Sequence, residues 1–197
     1  MSQLVTAPSL KEFFRALLEE VIQKQRVAIA EGTEFYLVNL LSEFASADHL
    51  FSEGEDGRKE QEALAVLYHR SLQQQREERI RTLRRLGDVS LYQAGFFSGA
   101  LREGPVGQDY YIQMGGAAYG QVADLAPASG FAAVYRELCA KFRAVVDVLE
   151  EISARGLVKS GSTGALKVYE SWVRTGSDRL ERVLVDAGIV VPKGLPN

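Results

Sequence analysis

The sequence predicts an all-α protein: a single-domain bundle of about eight helices that ends in an antiparallel helical hairpin. Apolar residues recur at steps of three and four along most of the 197 residues, and this spacing is typical of amphipathic helices. Glycine, proline and capping residues separate these stretches. The short runs 27–29 and 89–92 could be extended, but they do not predict a sheet. Since no internal repeat or domain boundary interrupts the chain, we expect one domain over 1–197, with irregular tails at 1–8 and 189–197.

The composition is that of an ordinary globular protein, with 46% hydrophobic and 25% charged residues. A net charge of −3 and a pI near 5.6 argue against a dedicated nucleic-acid-binding protein. No apolar run reaches the roughly 18 residues that a membrane helix needs, and the N-terminus does not resemble a signal peptide. We therefore expect a cytoplasmic protein that does not contact membranes. One cysteine, Cys139, and two histidines exclude an intrachain disulfide and most metal sites, so no metal and no cofactor are predicted.

The first two helices have start signals. Ser9 and Glu12 fit a capping box, in which each side chain satisfies a free backbone N–H of the first turn. Gly32 and Thr33 separate this helix from the next, and Thr33 is a residue type that caps helices. The second helix is apolar on most sides, which predicts that it is buried. Residues 48–58 are rich in acidic residues, serine and glycine, and we expect a solvated surface loop there.

Residues 59–86 carry two separate apolar stripes, which predicts two helices with a break near 73–75. Gly87 is expected to end the second of them and Asp88 to cap the next. Five arginines and two glutamates give 76–85 a net charge of +3. This charge indicates a solvated face; docking on an acidic protein and binding of nucleic acid are the alternatives, and the acidic chain argues against nucleic acid.

The last third has the most regular helical pattern. Apolar residues follow one another at steps of three and four from 131 to 152, and again from 166 to 187. The second stripe contains Leu166, Tyr169, Val173 and Gly176. Because 155–163 is a short polar connection with glycines, the two helices should pack as an antiparallel hairpin. Gly176 would lie on the packed stripe, where it lets the neighbouring backbone come close.

The segment 87–120 is unusual because it holds eight of the 18 glycines and only four charged residues. Glycine within a helix costs about 1 kcal/mol relative to alanine, so such a cluster needs a packing or functional reason. One interpretation is close helix packing, in a core or at a subunit interface. The other is a ligand pocket lined by a carboxylate and tyrosine set: Asp88, Tyr92, Asp109, Tyr110, Tyr111 and Tyr119. Asp88 and Asp109 also lie where helices are expected to start, so each has a capping interpretation.

The sequence shows no hydrolase, kinase or dinucleotide motif. We therefore expect a non-enzymatic protein that acts through protein contacts, as a homodimer or another homo-oligomer, or as a scaffold for a partner. The alternative is a small-molecule-binding or enzymatic bundle centred on the pocket at 87–120. No catalytic residue is predicted.

Overall fold

The computed structural model describes residues 10–45, 52–53, 59–60, 63–103 and 106–191. It confirms the all-α class. The helices are α1 (Leu10–Gln25), α2 (Glu31–Phe44), α3 (Leu64–Leu72), α4 (Arg76–Phe96), α5 (Ser98–Glu103), α6 (Gln108–Leu125), α7 (Ala132–Ala140), α8 (Phe142–Lys159), α9 (Ser162–Thr175) and α10 (Asp178–Asp186). Two-residue strands, β1 (Ser52–Glu53) and β2 (Lys59–Glu60), pair antiparallel. They lie in and beside the predicted loop 48–58, most of which is outside the described residues.

The described ranges contain ten helices rather than about eight, because each half of the predicted hairpin is divided. At Lys141 the backbone leaves the helical region (φ −111°, ψ 18°), which separates α7 from α8. Gly176 ends α9 in the left-handed conformation at φ +60°, which glycine adopts without steric cost. The expected place of Gly176 on a packed stripe is therefore wrong: it is an exposed helix end.

The hairpin itself is formed by α8 and α9. Only Ser160 and Gly161 separate the two helices, so the chain reverses direction there. Gly164 in the first turn of α9 packs against the carbonyl oxygen of Leu157 near the end of α8, an approach that leaves no room for a side chain. The short connection and this contact together fix how the hairpin begins.

Two expected helix starts are wrong, while one break and one end are confirmed. Helix α4 runs through Gly87 without interruption, so Asp88 lies in its middle and caps nothing. Helix α2 begins at Glu31, and the hydroxyl of Thr33 bonds to a neighbouring helix instead of capping its own. The predicted break near 73–75 separates α3 from α4. Gly188, at φ +78°, follows α10, directly before the tail predicted at 189–197.

The buried residues form two clusters. The main core takes apolar side chains from α1, α2, α3, α4, α6, α7 and α8, with α4 and α6 packed along each other at its centre. A smaller cluster joins the end of α8 to the last two helices, through Ala154, Val168, Trp172, Val183 and Leu184. That the whole chain is one domain stays a prediction. Of the expected tails, residues 1–8 lie outside the described residues, whereas 189–191 are described and non-helical.

None of the helices in the described part of the chain is both long enough and apolar enough to cross a lipid bilayer.

Candidate functional site

Four helices bring a carboxylate and three tyrosines together where the main core meets the surface. The hydroxyl of Tyr36, on α2, donates to Asp88 Oδ1 at 2.5 Å, and the hydroxyl of Tyr119, on α6, donates to the same oxygen at 2.7 Å. Tyr135, on α7, packs its ring on those of Tyr36 and Tyr119, and its hydroxyl lies within the electrostatic influence of Arg84 and Asp88. Arg84 lies one turn before Asp88 on α4, with its Nε 3.9 Å from Asp88 Oδ2. We call these five residues the Asp88 cluster.

The three tyrosine rings of the cluster also pack on one another. Tyr36 lies edge-on to Tyr119 and Tyr135, with ring centroids 6.3 and 5.6 Å away, while Tyr119 and Tyr135 stack at 5.8 Å. Edge-on and offset contacts of this kind are the favoured arrangements of aromatic pairs. Tyr119 is fully buried. The cluster is thus held by ring packing as well as by hydrogen bonds.

The electrostatics of the cluster are set by burial. Burial raises the pKa of Asp88 to about 6, because hydrogen bonds from Tyr36 and Tyr119 and the charge of Arg84 offset only part of the desolvation. Burial, and then the neighbouring carboxylate, raise the pKa of both hydroxyls, so Tyr36 and Tyr119 remain protonated donors. The side chain of Asp88 is 15% exposed and that of Arg84 is 55% exposed. The carboxyl group can therefore exchange one proton near neutral pH.

Of the six residues that the sequence proposed for a pocket, the structure brings Asp88 and Tyr119 together. Tyr92 instead stacks between Phe44 and Phe96, with ring centroids 4.9 and 4.7 Å away.

The other three predicted pocket residues lie in the first turn of α6. Asp109 is the second residue of that helix, where it pairs with Arg143 at the surface. It lies at a helix start, as expected, but the N-cap is Gly107 and no side chain caps the helix. Tyr110 and Tyr111 pack against each other edge-on, at 5.6 Å.

Three members of the cluster, Tyr36, Arg84 and Tyr135, are not among the residues that the sequence predicts for the pocket, although Arg84 belongs to the basic stretch 76–85. They lie outside the glycine-rich segment and reach Asp88 only through the packing of α2, α4 and α7. A tyrosine on the apolar face of a helix indicates a buried hydroxyl group, which needs a hydrogen-bond partner. This pattern could have identified Tyr36 and Tyr135 from the sequence.

Glycines of the segment 87–120 allow close packing in the core. A Cβ on Gly87 would lie 2.6 Å from the Tyr119 ring. Gly95 packs directly against Leu149, and Gly115 directly against Phe142. By contrast, Gly99 and Gly107 face open space. Gly87, Gly95 and Gly115 therefore allow close helix packing, which is one of the two interpretations that the sequence leaves open for this segment.

The face of α9 that packs on the protein differs from the predicted one. The buried residues are Gly164, Val168 and Trp172, whereas Leu166 is 55% exposed and Val173 is 46% exposed. The expected packed stripe is wrong for Leu166 and Val173, because the close approach of Gly164 to α8 and the burial of Trp172 turn another face of α9 to the protein. Tyr169 is partly buried against the smaller cluster, as expected. Helix α9 thus carries apolar residues on two faces, of which one is covered.

The basic stretch 76–85 forms several contacts within the chain. Arg76 donates through Nε to the carbonyl oxygen of Leu125 at 2.9 Å, at the end of α6, where free carbonyls attract a cation. Arg79 donates to Gln121 at 3.0 Å. Arg84 belongs to the Asp88 cluster, and the guanidinium of Arg85 lies over the ring of Phe44, 5.1 Å from its centroid, so four of the five arginines make contacts within the chain.

Predictions about metals and cofactors are not tested by a structure without ligands. Among the described residues no group of three or more His, Cys, Asp or Glu side chains is placed to hold a metal ion. His69 is exposed on α3, and His49 is outside the described residues. Cys139 is exposed, with its Sγ beside Gly120.

Comparison of the chain with models of protein families, with curated proteins and with solved structures gives no match in any of the three.

Proposed function

We propose that this protein works through protein–protein contacts rather than catalysis, and that the uncovered face of α9 pairs with the same face of a second copy. The observation that carries the proposal is the second apolar face of α9, where Leu166 and Val173 are each about half exposed. A helix apolar on two sides, with one side buried in its own chain, has an unused packing surface.

The geometry of this face suits a pair of antiparallel helices related by a two-fold axis. Leu166 and Val173 are seven residues apart, so they lie within about 20° of each other around the helix. If the axis passes between Tyr169 and Glu170, Leu166 of each copy lies opposite Val173 of the other. Such a contact uses one patch twice, as the interface of a two-fold dimer must.

The charges beside this face favour the same arrangement. Glu170 and Lys167 are exposed, about 40° and 100° around the helix from Leu166 in the same sense. In an antiparallel pair, the flank of one helix faces the same flank of the other helix. Glu170 of one copy therefore lies near Lys167 of the other, and their positions along the helix axis differ by about 3 Å. Two symmetric ion pairs would then border the apolar contact and fix its register.

The contact should be weak. Helix α9 has 14 residues, a length of about 21 Å, and one such helix pair buries less than the roughly 1,600 Å² of a standard stable interface. Interfaces at the low end of this range belong to transient complexes. We therefore expect a monomer–dimer equilibrium that depends on protein concentration.

Two leucines of nearly equal exposure allow a matched test. Leu166 is 55% exposed on α9, and Leu72 is 53% exposed at the end of α3. In sedimentation velocity over a wide concentration range, Leu166→Glu should abolish the shift towards dimer, and Leu72→Glu should leave it unchanged. A wild-type chain that stays monomeric at every concentration would refute the proposal, as would equal effects of the two variants.

A second candidate function rests on Asp88. A carboxyl group with a pKa of about 6 and a partly exposed side chain has the properties of an acid–base or ligand-binding group. A thermal-shift screen of small molecules tests this alternative, since a ligand of the folded state raises the melting temperature. A hit that Asp88→Asn or Tyr119→Phe abolishes would support it, whereas a screen without hits would count against it.

The cytoplasm is the proposed location, on the sequence grounds given above. Fractionation of cells that express the tagged chain tests it.

A further inference from the structure

A surface cavity of about 460 Å³ lies where the end of α1 meets α10. Five of the described residues line it, and four of them are cationic: Lys24, Arg26, Arg179 and Arg182; the fifth is Gln25. The volume falls within the range of small-molecule sites. The two helices come from different parts of the chain, so the fold assembles this concentration of positive charge.

Two of the cations are neutralised by the protein itself. Lys24 Nζ lies 2.7 Å from Asp186 Oδ2 and 3.5 Å from Glu151 Oε1. Arg179 Nη1 lies 2.8 Å from Asp147 Oδ1, and its Nη2 lies 3.7 Å from a carboxylate oxygen of Glu150. These ion pairs join α1 and α10 to α8, and they hold the walls of the cavity in place.

The other two cations are available to a ligand. Within the part of the chain that the structure describes, neither Arg26 nor Arg182 forms a hydrogen bond or a close ion pair, although the charge of Arg182 helps to lower the pKa of Asp186. Both are exposed and both line the cavity. A guanidinium group presents its N–H donors in a planar fork that matches the oxygens of a phosphate group.

The backbone of Arg26 is a second, independent observation. Arg26 directly follows α1 with φ +56°, the only positive φ of a non-glycine residue in the described chain. The N–H of Val27 bonds to the carbonyl oxygen of Ile22, so Arg26 occupies the left-handed position of a Schellman motif. Glycine is the usual residue there, because a side chain makes this conformation strained. Strain at a residue that lines a cavity suggests that its side chain is used there.

We propose that this cavity binds a compact anion with two or more phosphate groups, held by the guanidinium groups of Arg26 and Arg182. Several cations converge there, which favours more than one phosphate group. None of the described residues that line the cavity is aromatic, so they offer no surface for stacking a nucleobase, and the recognised part of the ligand is the phosphate chain. A bound anion would bridge α1 and α10, and so would tie the smaller C-terminal cluster to the main core.

Inorganic tripolyphosphate is a suitable probe, used with the full chain at constant ionic strength. It should bind with a stoichiometry of one and raise the melting temperature, and sulfate at the same ionic strength should do neither. Arg182→Gln and Arg26→Gly should each weaken binding at least tenfold. Arg81→Gln, which removes an exposed arginine of α4 that does not line the cavity, should leave binding unchanged.

Arg26→Gly separates loss of the site from loss of the fold. Glycine relieves the strain at φ +56°, so this variant should melt at the wild-type temperature or above while it binds the probe poorly. The proposal is overturned if tripolyphosphate does not bind, if Arg26→Gly and Arg182→Gln bind it like the wild type, or if Arg81→Gln weakens binding as much as they do.

Discussion

Gly87 and Tyr119 are in such close contact that the ring of Tyr119 occupies the space where a side chain at position 87 would begin. A Cβ on Gly87 would lie 2.6 Å from Cε1 of Tyr119. The absence of a side chain on α4 lets α6 come close, and this approach places the Tyr119 hydroxyl 2.7 Å from Asp88 Oδ1. One glycine thus connects the packing of the two central helices to the geometry of the Asp88 cluster.

Gly87→Ala should destabilise the protein. Overpacking a core costs roughly 1–3 kcal/mol, whereas alanine gains about 1 kcal/mol in helix propensity, so we expect a net loss of about 1–2 kcal/mol in the free energy of unfolding. Gly156→Ala is the control, because a Cβ there meets open space on a long helix and should be stabilising. Urea denaturation measures both variants. A Gly87→Ala variant as stable as the wild type would contradict the close contact.

Removal of either tyrosine hydroxyl that bonds to Asp88 should also destabilise the fold. Tyr36→Phe and Tyr119→Phe each remove a hydrogen bond to a charged group, which is worth about 1.5–3 kcal/mol. Because the two hydroxyls share Asp88 Oδ1, the effects should be non-additive in a double-mutant cycle. Tyr110→Phe is the control, since its hydroxyl has no hydrogen-bond partner among the described residues. Strict additivity would indicate that the two bonds are independent.

The raised pKa of Asp88 predicts a pH-dependent contribution to stability. In the unfolded chain this carboxyl group loses its proton near 3.8, whereas in the folded protein it keeps it up to about pH 6. Between these pH values the folded state binds more protons than the unfolded state. The contribution of Asp88 to the free energy of unfolding therefore falls as the pH rises from about 4 through 6. At about 1.4 kcal/mol per pKa unit, the loss is about 3 kcal/mol by neutral pH.

Asp88→Asn removes this titration and keeps an oxygen that accepts a hydrogen bond. The stability of Asp88→Asn relative to the wild type should therefore increase between about pH 4 and pH 7. Denaturant unfolding at a series of pH values measures the difference in the free energy of unfolding between the variant and the wild type. The other titratable groups are the same in both proteins, so their effects cancel in this difference. A difference that stays constant, or that decreases with pH, would show that burial does not raise the pKa of Asp88.

Helical periodicity predicts much of this fold, but it does not predict where helices are interrupted. In the stripe over 131–152 every predicted apolar position except Phe131 is buried, although the helix breaks at Lys141. The break does not disturb the spacing of apolar residues, so the pattern cannot reveal it. On α9 the pattern places Leu166 and Val173 on the packed face, whereas both are exposed. Glycine has no apolar side chain, so the pattern does not count Gly164 as a core residue, although it makes one of the closest contacts in the structure.

The Asp88 cluster could be predicted only in part. The sequence identifies Asp88 and Tyr119, which lie within the same uncharged segment. Tyr36 is 52 residues from Asp88 along the chain, and Tyr135 joins through a fourth helix. Such contacts depend on how helices pack on one another, and a pattern within one helix carries no information about that packing.

Charge reversal on α9 is the direct test of whether two copies pair through antiparallel α9 helices. Lys167→Glu places two glutamates opposite each other in the proposed pair, and Glu170→Lys places two lysines there, so each variant should dimerise less than the wild type. In an equimolar mixture each variant supplies the charge that the other lacks, so a heterodimer should form and be detected by sedimentation velocity. A mixture no more dimeric than either variant alone would contradict this pairing.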